Sequence, residues 1–477
     1  MGIYVPGAYM DATDNGDGTY TCTINTTATI EGYTALTAPI VMPVNTAGYS
    51  AQAAPTSYAS SGISDYTDAG FIYVYAGCRG RNNGDDYSGG APWGVTDLKA
   101  AVRYLRYNSD DLPGNTDSIF AFGHSGGGAQ STILGSSGDS ELYTPYLESI
   151  GACMYDDDGN EISDAIAGVM AWCPITSLDT ANEAYEWNMG QYASSGTRDN
   201  DSWTSALSDD MAEAYADYIN ALGLIDSDGN TLSLSESSDG IYTSGTYYDY
   251  LLSVIEESLN NYLVDNYSST SDMQSYVDEL NSDETWVTFD SSTNTVSIIS
   301  IEAFVNHCKS ASKDVGAFDD LNLSQAENYV FGNDDSDALH WDETMANLLT
   351  ENQDEYSTYS DYDSSYIDEY TSDLENTDSL GNDTYYRQNM YNPMYYLSDY
   401  YDGYETSTVA TYWRIRTGIT QGDTALTVET NLALALEQYD SVESVDFATI
   451  WNQGHTTAER TGDSTTNFIE WVNECLN

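Results

Sequence analysis

The residues best suited to chemistry are Gly123, His124, Ser125, Gly126 and Gly127, a Gly-x-Ser-x-Gly pattern closing a short apolar run. Small residues with helix character follow, through Gln130 and beyond. Between a strand and a helix this pattern makes an elbow. Glycines two residues before and after the serine permit a sharp turn without a Cβ collision, and the serine sits at the helix N-terminus in strained backbone. A glycine-rich surface turn would read the same, so the partners must decide. A serine nucleophile needs a base, and the base needs an acid on its other ring nitrogen. Histidine occurs only at 124, 307, 340 and 455. His124 is the x of the elbow and is expected to point away into the fold, while His307 and His340 fall in a segment of different character. His455 ends the loop Trp451-Asn452-Gln453-Gly454-His455 after the last apolar strand and is the expected base.

The acid should come from the loop after the preceding strand, residues 418–424, where Asp423 is the only carboxylate before Glu429. Asp423 could instead cap the helix that begins near Leu426. The order Ser125, Asp423, His455 is that of α/β-hydrolases. The expected oxyanion hole is the N–H of Gly126 with one from the loop 46–48, taken at Ala47. None of the six cysteines, at 22, 78, 153, 173, 308 and 475, has zinc-motif spacing. Cys78 and Cys173 end apolar strands and read as buried thiols; Cys22, Cys153 and Cys308 are the disulfide candidates if the chain is exported. Asn15-Gly16-Asp17-Gly18 lacks the twelve-residue calcium spacing and reads as a hairpin turn. No metal and no cofactor is expected.

These residues need a scaffold. Pro39 to Val44, Ala69 to Gly77 and Ala167 to Trp172 are apolar throughout and alternate with helical stretches. In the first of these helices, Thr96 to Arg106, Val95, Leu98, Val102 and Leu105 share one side. Such strands indicate a mostly parallel sheet covered on both faces. From about 181 to 385 the chain is too polar to extend that sheet. Met211–Leu222 and Val254–Val264 read as helices, Trp286–Ile299 as two short strands, and Tyr356–Thr371 as loop. Sheet character returns at Thr411–Arg416, followed by a helix at Leu426–Leu436, a strand at Val445–Ile450 and a last helix from Asn467. The expected division is 1–180 and 386–477 as two parts of an α/β-hydrolase core, with 181–385 as a large, mainly helical lid. Cys78-Arg79-Gly80-Arg81 puts two cations together in an acidic chain, either anchoring a loop or touching substrate.

The chain resembles the bacterial subtype B tannase family of serine esterases over nearly all its length. The resemblance rests on CRGR at 78–81, GGAPWGVTDLKAAVRYLRYN at 89–108, GHSGGGAQ at 123–130, KDVGAFD at 313–319, SQAENYVFG at 324–332, NPMYY at 392–396, WRIRTG at 413–418 and WNQGH at 451–455. It implies an α/β-hydrolase with an inserted lid that cleaves galloyl and related phenolic esters, with Ser125 and His455 in the triad. It also implies that Lys313, Glu327 and Asp423 hold the galloyl hydroxyls. One departure stands out. The family loop reads Asp-Arg-Asp-Thr, the first Asp in the triad and the second on substrate, whereas this chain reads Gln421-Gly422-Asp423-Thr424. Either Asp423 has moved into the triad, which Gly422 could allow by re-aiming the loop and which we expect, or His455 is oriented by the neutral amide of Gln421. A broader aryl or hydroxycinnamoyl esterase and a weakly active phenolic-ligand binding protein are the alternatives.

Composition narrows the partners. Twelve basic residues face 77 acidic ones, a net charge of −65. Phosphate backbones would be repelled, so a nucleic-acid partner is excluded, and no run of ~18 apolar residues could span a membrane. The expected partner is a small phenolic ester, and the expected state is a monomer. Abundant Ser, Thr and Tyr favour a secreted or cell-surface protein over one from a high-salt cytoplasm; Met1 leads straight into a strand-like segment, as at a start inside a longer precursor. Repulsion among the acids opposes compaction when screening is weak. Thermal melts should therefore show a melting temperature that rises from low to molar salt; a flat or falling trend would contradict this.

Overall fold

The computed structural model describes residues 1–83, 89–238 and 240–477. Its central sheet has seven strands: β1 (Gly2–Tyr4), β2 (Pro39–Val44), β3 (Ile72–Tyr75), β4 (Asn115–His124), β5 (Gly168–Trp172), β6 (Tyr412–Gly418) and β7 (Ser444–Ile450). In space they run β1-β3-β2-β4-β5-β6-β7. Only β1, at the edge, is antiparallel to its neighbour. Side chains alternate between two cores, as a period of two requires. Ile40, Met42, Ile119, Ala121, Val169 and Ala171 face one, shared with Val95, Leu98, Ile133 and Leu432. Val41, Phe120 and Met170 face the other, against Phe468, Trp471 and Tyr66. The sheet is therefore covered on both sides, by α1 (Trp93–Tyr107), α2 (Gly126–Ser136) and α3 (Leu426–Gln438) on one and by α4 (Ser464–Leu476) on the other. This is the expected α/β-hydrolase architecture.

Register brings the functional ends together. Val44 pairs with Gly123, His124 with Trp172, Trp172 with Arg416, and Gly418 with Ile450. The carboxyl ends of β2, β4, β5, β6 and β7 thus lie along one edge, where open parallel sheets place their ligand sites.

Among the described residues between β5 and β6, none adds a strand to this sheet. The segment instead supplies the lid, with helices at Trp203–Leu222, Thr246–Asn266, Thr270–Leu280, Ile301–Cys308 and Glu343–Glu351 and a small hairpin of Val287–Asp290 with Thr295–Ile298. The stretch 356–371, expected as loop, is in part helical, since Ser365–Leu374 forms a helix. Tyr366, Ile367, Tyr370 and Leu374 recur at helical spacing on one side and pack with Trp203, Leu207 and Met345. High Asp and Ser content concealed that stripe. Cys78 and Cys173 are buried as expected, but all six cysteines are free, so Cys22, Cys153 and Cys308 form no disulfide.

One buried ionic cluster ties the scaffold together. Asp164, just before β5, accepts Lys99 Nζ at 2.7 Å and Arg103 Nε at 2.7 Å, both from α1, while Lys99 also donates to Ser137 O. Lys99 is 0% and Asp164 1% exposed. Their charges are tolerable only as a set, because removing one partner strands the others without water. Asp164→Asn should lower the unfolding free energy by ~3–5 kcal/mol in denaturant titrations; a loss below ~1 kcal/mol would show that the cluster does not hold the scaffold.

Candidate active site

The elbow is built as its glycines require. Ser125 has φ 60 and ψ −126, a region that L residues avoid, and its N–H donates to Trp172 O at 3.0 Å. A Cβ on Gly127 would lie 2.0 Å from Val44 O, and one on Gly123 would lie 2.4 Å from Gly127 C. Only hydrogen fits at either place, so strand and helix close tightly enough to project the serine from the sheet edge.

His455 reaches it from the loop after β7. Its Nε2 lies 2.8 Å from Ser125 Oγ. That loop is pinned to the loop after β6: Thr420 N–H donates to Gln453 O at 3.0 Å and Thr420 Oγ1 to the same oxygen at 2.8 Å. A second anchor is Glu459, which accepts both Arg414 guanidinium nitrogens at 2.7 Å and Trp172 Nε1 at 2.9 Å. Burial pushes the His455 pKa down, with Asp423 opposing and Lys313 and Lys309 adding to the shift. A neutral imidazole, the form that can accept a serine proton, is thereby favoured.

The partner of Nδ1 is Gln421, whose Oε1 lies 2.6 Å away. This overturns the expectation that Asp423 had moved into that place. Asp423 Oδ2 is 3.9 Å from Nδ1, beyond hydrogen-bond range, and its side chain is 50% exposed. The reason is that the loop is pinned rather than re-aimed. Gly422 O accepts Tyr185 Oη at 2.9 Å and Ser312 Oγ at 3.2 Å. Lys309 Nζ donates to the carbonyl oxygens of Gln421 and, at 2.9 Å, of Thr424. Gln421 Nε2 is held in turn by Thr417 Oγ1 at 2.6 Å and Glu429 Oε1 at 2.8 Å.

The other histidines are engaged elsewhere. His307 stacks on Trp286, and His340 Nδ1 meets Asp319 at 2.7 Å while its ring stacks on Tyr370. His124 does not point away as expected. Its ring lies 4.6 Å from that of His455, and its buried Nε2 has no hydrogen-bond partner among the described residues. Burial and the neighbouring imidazole push its pKa down to about 4, so it adds no charge beside the base at neutral pH. His124, Cys173 and His455 present donor atoms within 4.8 Å of one another, a set that could take a soft metal ion. Both nitrogens of His455 are already occupied, so a metal could join the three only by displacing Ser125 or Gln421.

The loop carrying Ala47 lies directly against the elbow. A Cβ on Gly126 would sit 2.6 Å from Thr46 O and 2.6 Å from Tyr49 N. Arg81 fixes this loop through Nε to Gly48 O at 2.5 Å, and its N–H donates to Tyr49 O at 2.9 Å. Arg79 instead pairs with Asp97 at 2.8 Å and stacks over Trp93. Arg81 thus anchors loop backbone, whereas Arg79 is tied to side chains of α1.

Lys313 has Glu327, Asp423 and His455 within its electrostatic reach. Burial pushes the Lys313 pKa down while Glu327 and Asp423 oppose it, and its Nζ rests 3.8 Å from the centroid of the Phe318 ring. Glu327 is buried on the short helix Ala326–Val330. Tyr185 links lid to site: its oxygen accepts the N–H groups of Ser312 at 2.9 Å and Lys313 at 3.0 Å while donating to Gly422 O. Tyr185, Lys309 and Glu429 were not anticipated from sequence. The available signals were a glutamate in the otherwise uncharged helix Leu426–Leu436 and the scarcity of lysine, present only at 99, 309 and 313.

A family model described as BD-FAE matches residues 33–226. No curated protein sequence matches the chain. Among solved structures, the tannase of Fusobacterium nucleatum is similar at 28% identity and TM-score 0.73, covering 100% of this chain and 90% of its own. The tannin acyl hydrolase of Lactobacillus plantarum is similar at 26% identity and TM-score 0.71, with coverage of 100% and 90%. A tannin acyl hydrolase in complex with 3,4-dihydroxybenzoate is similar at 27% identity and TM-score 0.72, with coverage of 99% and 89%. The chain is a structural homologue of the tannin acyl hydrolases, with an α/β-hydrolase core and an inserted helical lid.

Proposed function

We propose that the protein is a serine esterase that hydrolyses phenolic, galloyl-type carboxylic esters through an acyl-enzyme. The observation that carries this reading is the 2.8 Å contact of His455 Nε2 with Ser125 Oγ at a strained elbow. His455 takes the serine proton as Oγ attacks the ester carbonyl, and the tetrahedral oxyanion is met by N–H groups of Gly126 and Ala47. The imidazolium then protonates the leaving alcohol. Water attacks the acyl carbonyl as His455 removes its proton, the acyl–Oγ bond breaks as His455 returns that proton to Ser125, and the acid is released. Gln421 holds the ring in place of the usual carboxylate.

Recognition of the acyl ring falls to Lys313, Glu327 and Asp423. Solved relatives are described as complexes with ethyl gallate and with 3,4-dihydroxybenzoate, acyl groups whose ring hydroxyls would match one cation and two carboxylates. A pocket built to bond hydroxyls rejects analogues lacking them, because its own polar groups are left buried and unpaired. The abundance of Ser, Thr and Tyr fits an extracellular or surface setting for this activity.

Methyl gallate should exceed methyl benzoate by ~10² or more in kcat/KM, and Lys313→Ala and Glu327→Ala should erase most of that preference while sparing a small activated acetate ester. Equal values for the two esters in the wild type would remove the phenolic assignment and leave a general esterase. Asp423→Asn should weaken only hydroxylated aryl esters, whereas Gln421→Ala should weaken every ester. Uniform loss with Asp423→Asn would return Asp423 to the base. Ser125→Ala should abolish turnover, since the other nucleophilic group near His455, the Cys173 thiol, is buried with its pKa pushed up to about 11; steady hydrolysis by that variant would refute the mechanism.

A further inference from the structure

A carboxylate has not vanished from the site; it stands one hydrogen bond further in. Glu429 lies on α3 and is 0% exposed. Its Oε1 accepts Gln421 Nε2 at 2.8 Å and Thr417 Oγ1 at 3.0 Å. Its Oε2 is buried with no hydrogen-bond partner among the described residues. Burying a carboxylate with one oxygen unsatisfied is unfavourable and is not what a structural residue requires. Apolar neighbours such as Leu426 and Leu432 would have served the core better.

The direction of this chain of bonds follows from what each group can do. An ionised carboxylate only accepts, so Gln421 must turn its NH2 toward Glu429. Its oxygen then faces His455 Nδ1, and an amide oxygen only accepts. Nδ1 must therefore carry the ring proton, which leaves Nε2 bare toward Ser125 Oγ. Without Glu429 the Thr417 hydroxyl, which accepts Gln421 Nε2 at 2.6 Å while donating to Glu429, could turn and donate to the amide oxygen, so the amide could flip, present NH2 to Nδ1 and force the proton onto Nε2. In that tautomer His455 cannot act as a base toward the serine.

We propose that Glu429 is a positioning residue: by accepting the amide N–H of Gln421 it fixes His455 in the tautomer that can deprotonate Ser125. The proposal rests on the reading of Ser125 and His455 as nucleophile and base. Its geometry is a His455–Gln421–Glu429 line that does through an amide what a triad carboxylate does by direct contact. Lys309 belongs to the same device, because it clamps the carbonyls of Gln421 and Thr424 and sets the loop at the required reach.

A pH dependence follows. Burial raises the Glu429 carboxyl to about 7, and Lys309 opposes that rise. The titratable groups facing it are Lys309, from the residue after Ile301–Cys308, and Cys173, from the end of β5; burial pushes the Cys173 thiol up to about 11. His455 and Asp423 lie beyond Gln421. Above neutrality Glu429 is ionised and the line is directed. As pH falls through neutrality it gains a proton, becomes able to donate, and no longer dictates the amide orientation. The acid limb of activity should then lie higher than His455 alone would set, because the His455 pKa is itself depressed.

The test uses the full chain. In 15N-histidine-labelled wild type at pH 8.5, the signal lost in His455→Gln should show a protonated Nδ1 and a bare Nε2. A dominant Nε2–H form would overturn the proposal, and this result does not depend on any substrate. For kinetics, Glu429→Gln should lower kcat on methyl gallate and on an activated acetate by ~10², against the ~10⁴ that a lost triad orientation can cause, with KM little changed. Its acid limb should move to lower pH. The double variant Gln421→Glu/Glu429→Gln places the carboxylate directly on Nδ1 with an amide behind it, and should regain at least ~10-fold over Glu429→Gln. A Glu429→Gln protein with wild-type kcat and an unshifted acid limb would overturn the proposal, as would a folded double variant no better than the single one. Should Glu429→Gln fail to fold, the wild-type tautomer still decides. Wild type with no esterase activity but with the Nδ1–H form would instead refute the functional reading and leave the positioning role standing.

Discussion

The structure depends on one contact, 2.8 Å between Ser125 Oγ and His455 Nε2, made by residues 330 positions apart. Neither can reach the other unless the ends of β4 and β7 lie at the same sheet edge. That in turn requires the parallel register running from β4 through β5 and β6 to β7. The close approach also demands glycine where α2 meets Val44. Large core residues such as Phe120, Met170, Trp413 and Phe468 hold that register by packing on both sides of the sheet. The meeting of Ser125 and His455 is thus a consequence of sheet order, and the inserted segment pins the loop of Gln421 beside them.

Charge distribution carries a second constraint. In a chain of net charge −65, lysine occurs at only three positions, and all are drawn inward. Lys99 neutralises Asp164 beneath the sheet, Lys309 clamps the loop of Gln421, and Lys313 rests over Phe318 among acidic groups. Arg414 and Arg416 act alike, tying β6 to Asp446 and Glu459. Scarce cations in an acidic protein are most effective where the dielectric is low and the partner is fixed. Surface repulsion is left to the solvent ions.

Much of this was legible in the sequence because it is local. The elbow announces itself through glycine spacing, the strands through unbroken apolar runs, and the histidine through its place after the last strand. Pro39–Val44 was read with its full bounds, since turn-forming residues flank it. What escaped was non-local. Gln421-Gly422-Asp423 offered two candidates for His455 and the choice between them went to Asp423, because the answer is set by Lys309, Tyr185 and Ser312 arriving from the lid. His124 turned toward the base for a similar reason, its ring filling the space beside the His455 loop. The helix Ser365–Leu374 was obscured by composition, since its stripe of Tyr and Ile is diluted by Asp and Ser.

The central claim is that Ser125 is a nucleophile activated by His455. An aryl phosphonate that mimics the tetrahedral intermediate tests it most directly, read by intact-mass and peptide mass spectrometry. The account predicts one adduct per chain on the peptide containing Ser125, loss of ester hydrolysis in proportion to labelling, and labelling slowed ~10³-fold or more in His455→Ala. A protein that stays unlabelled, or is labelled elsewhere while Ser125 remains free, would contradict it.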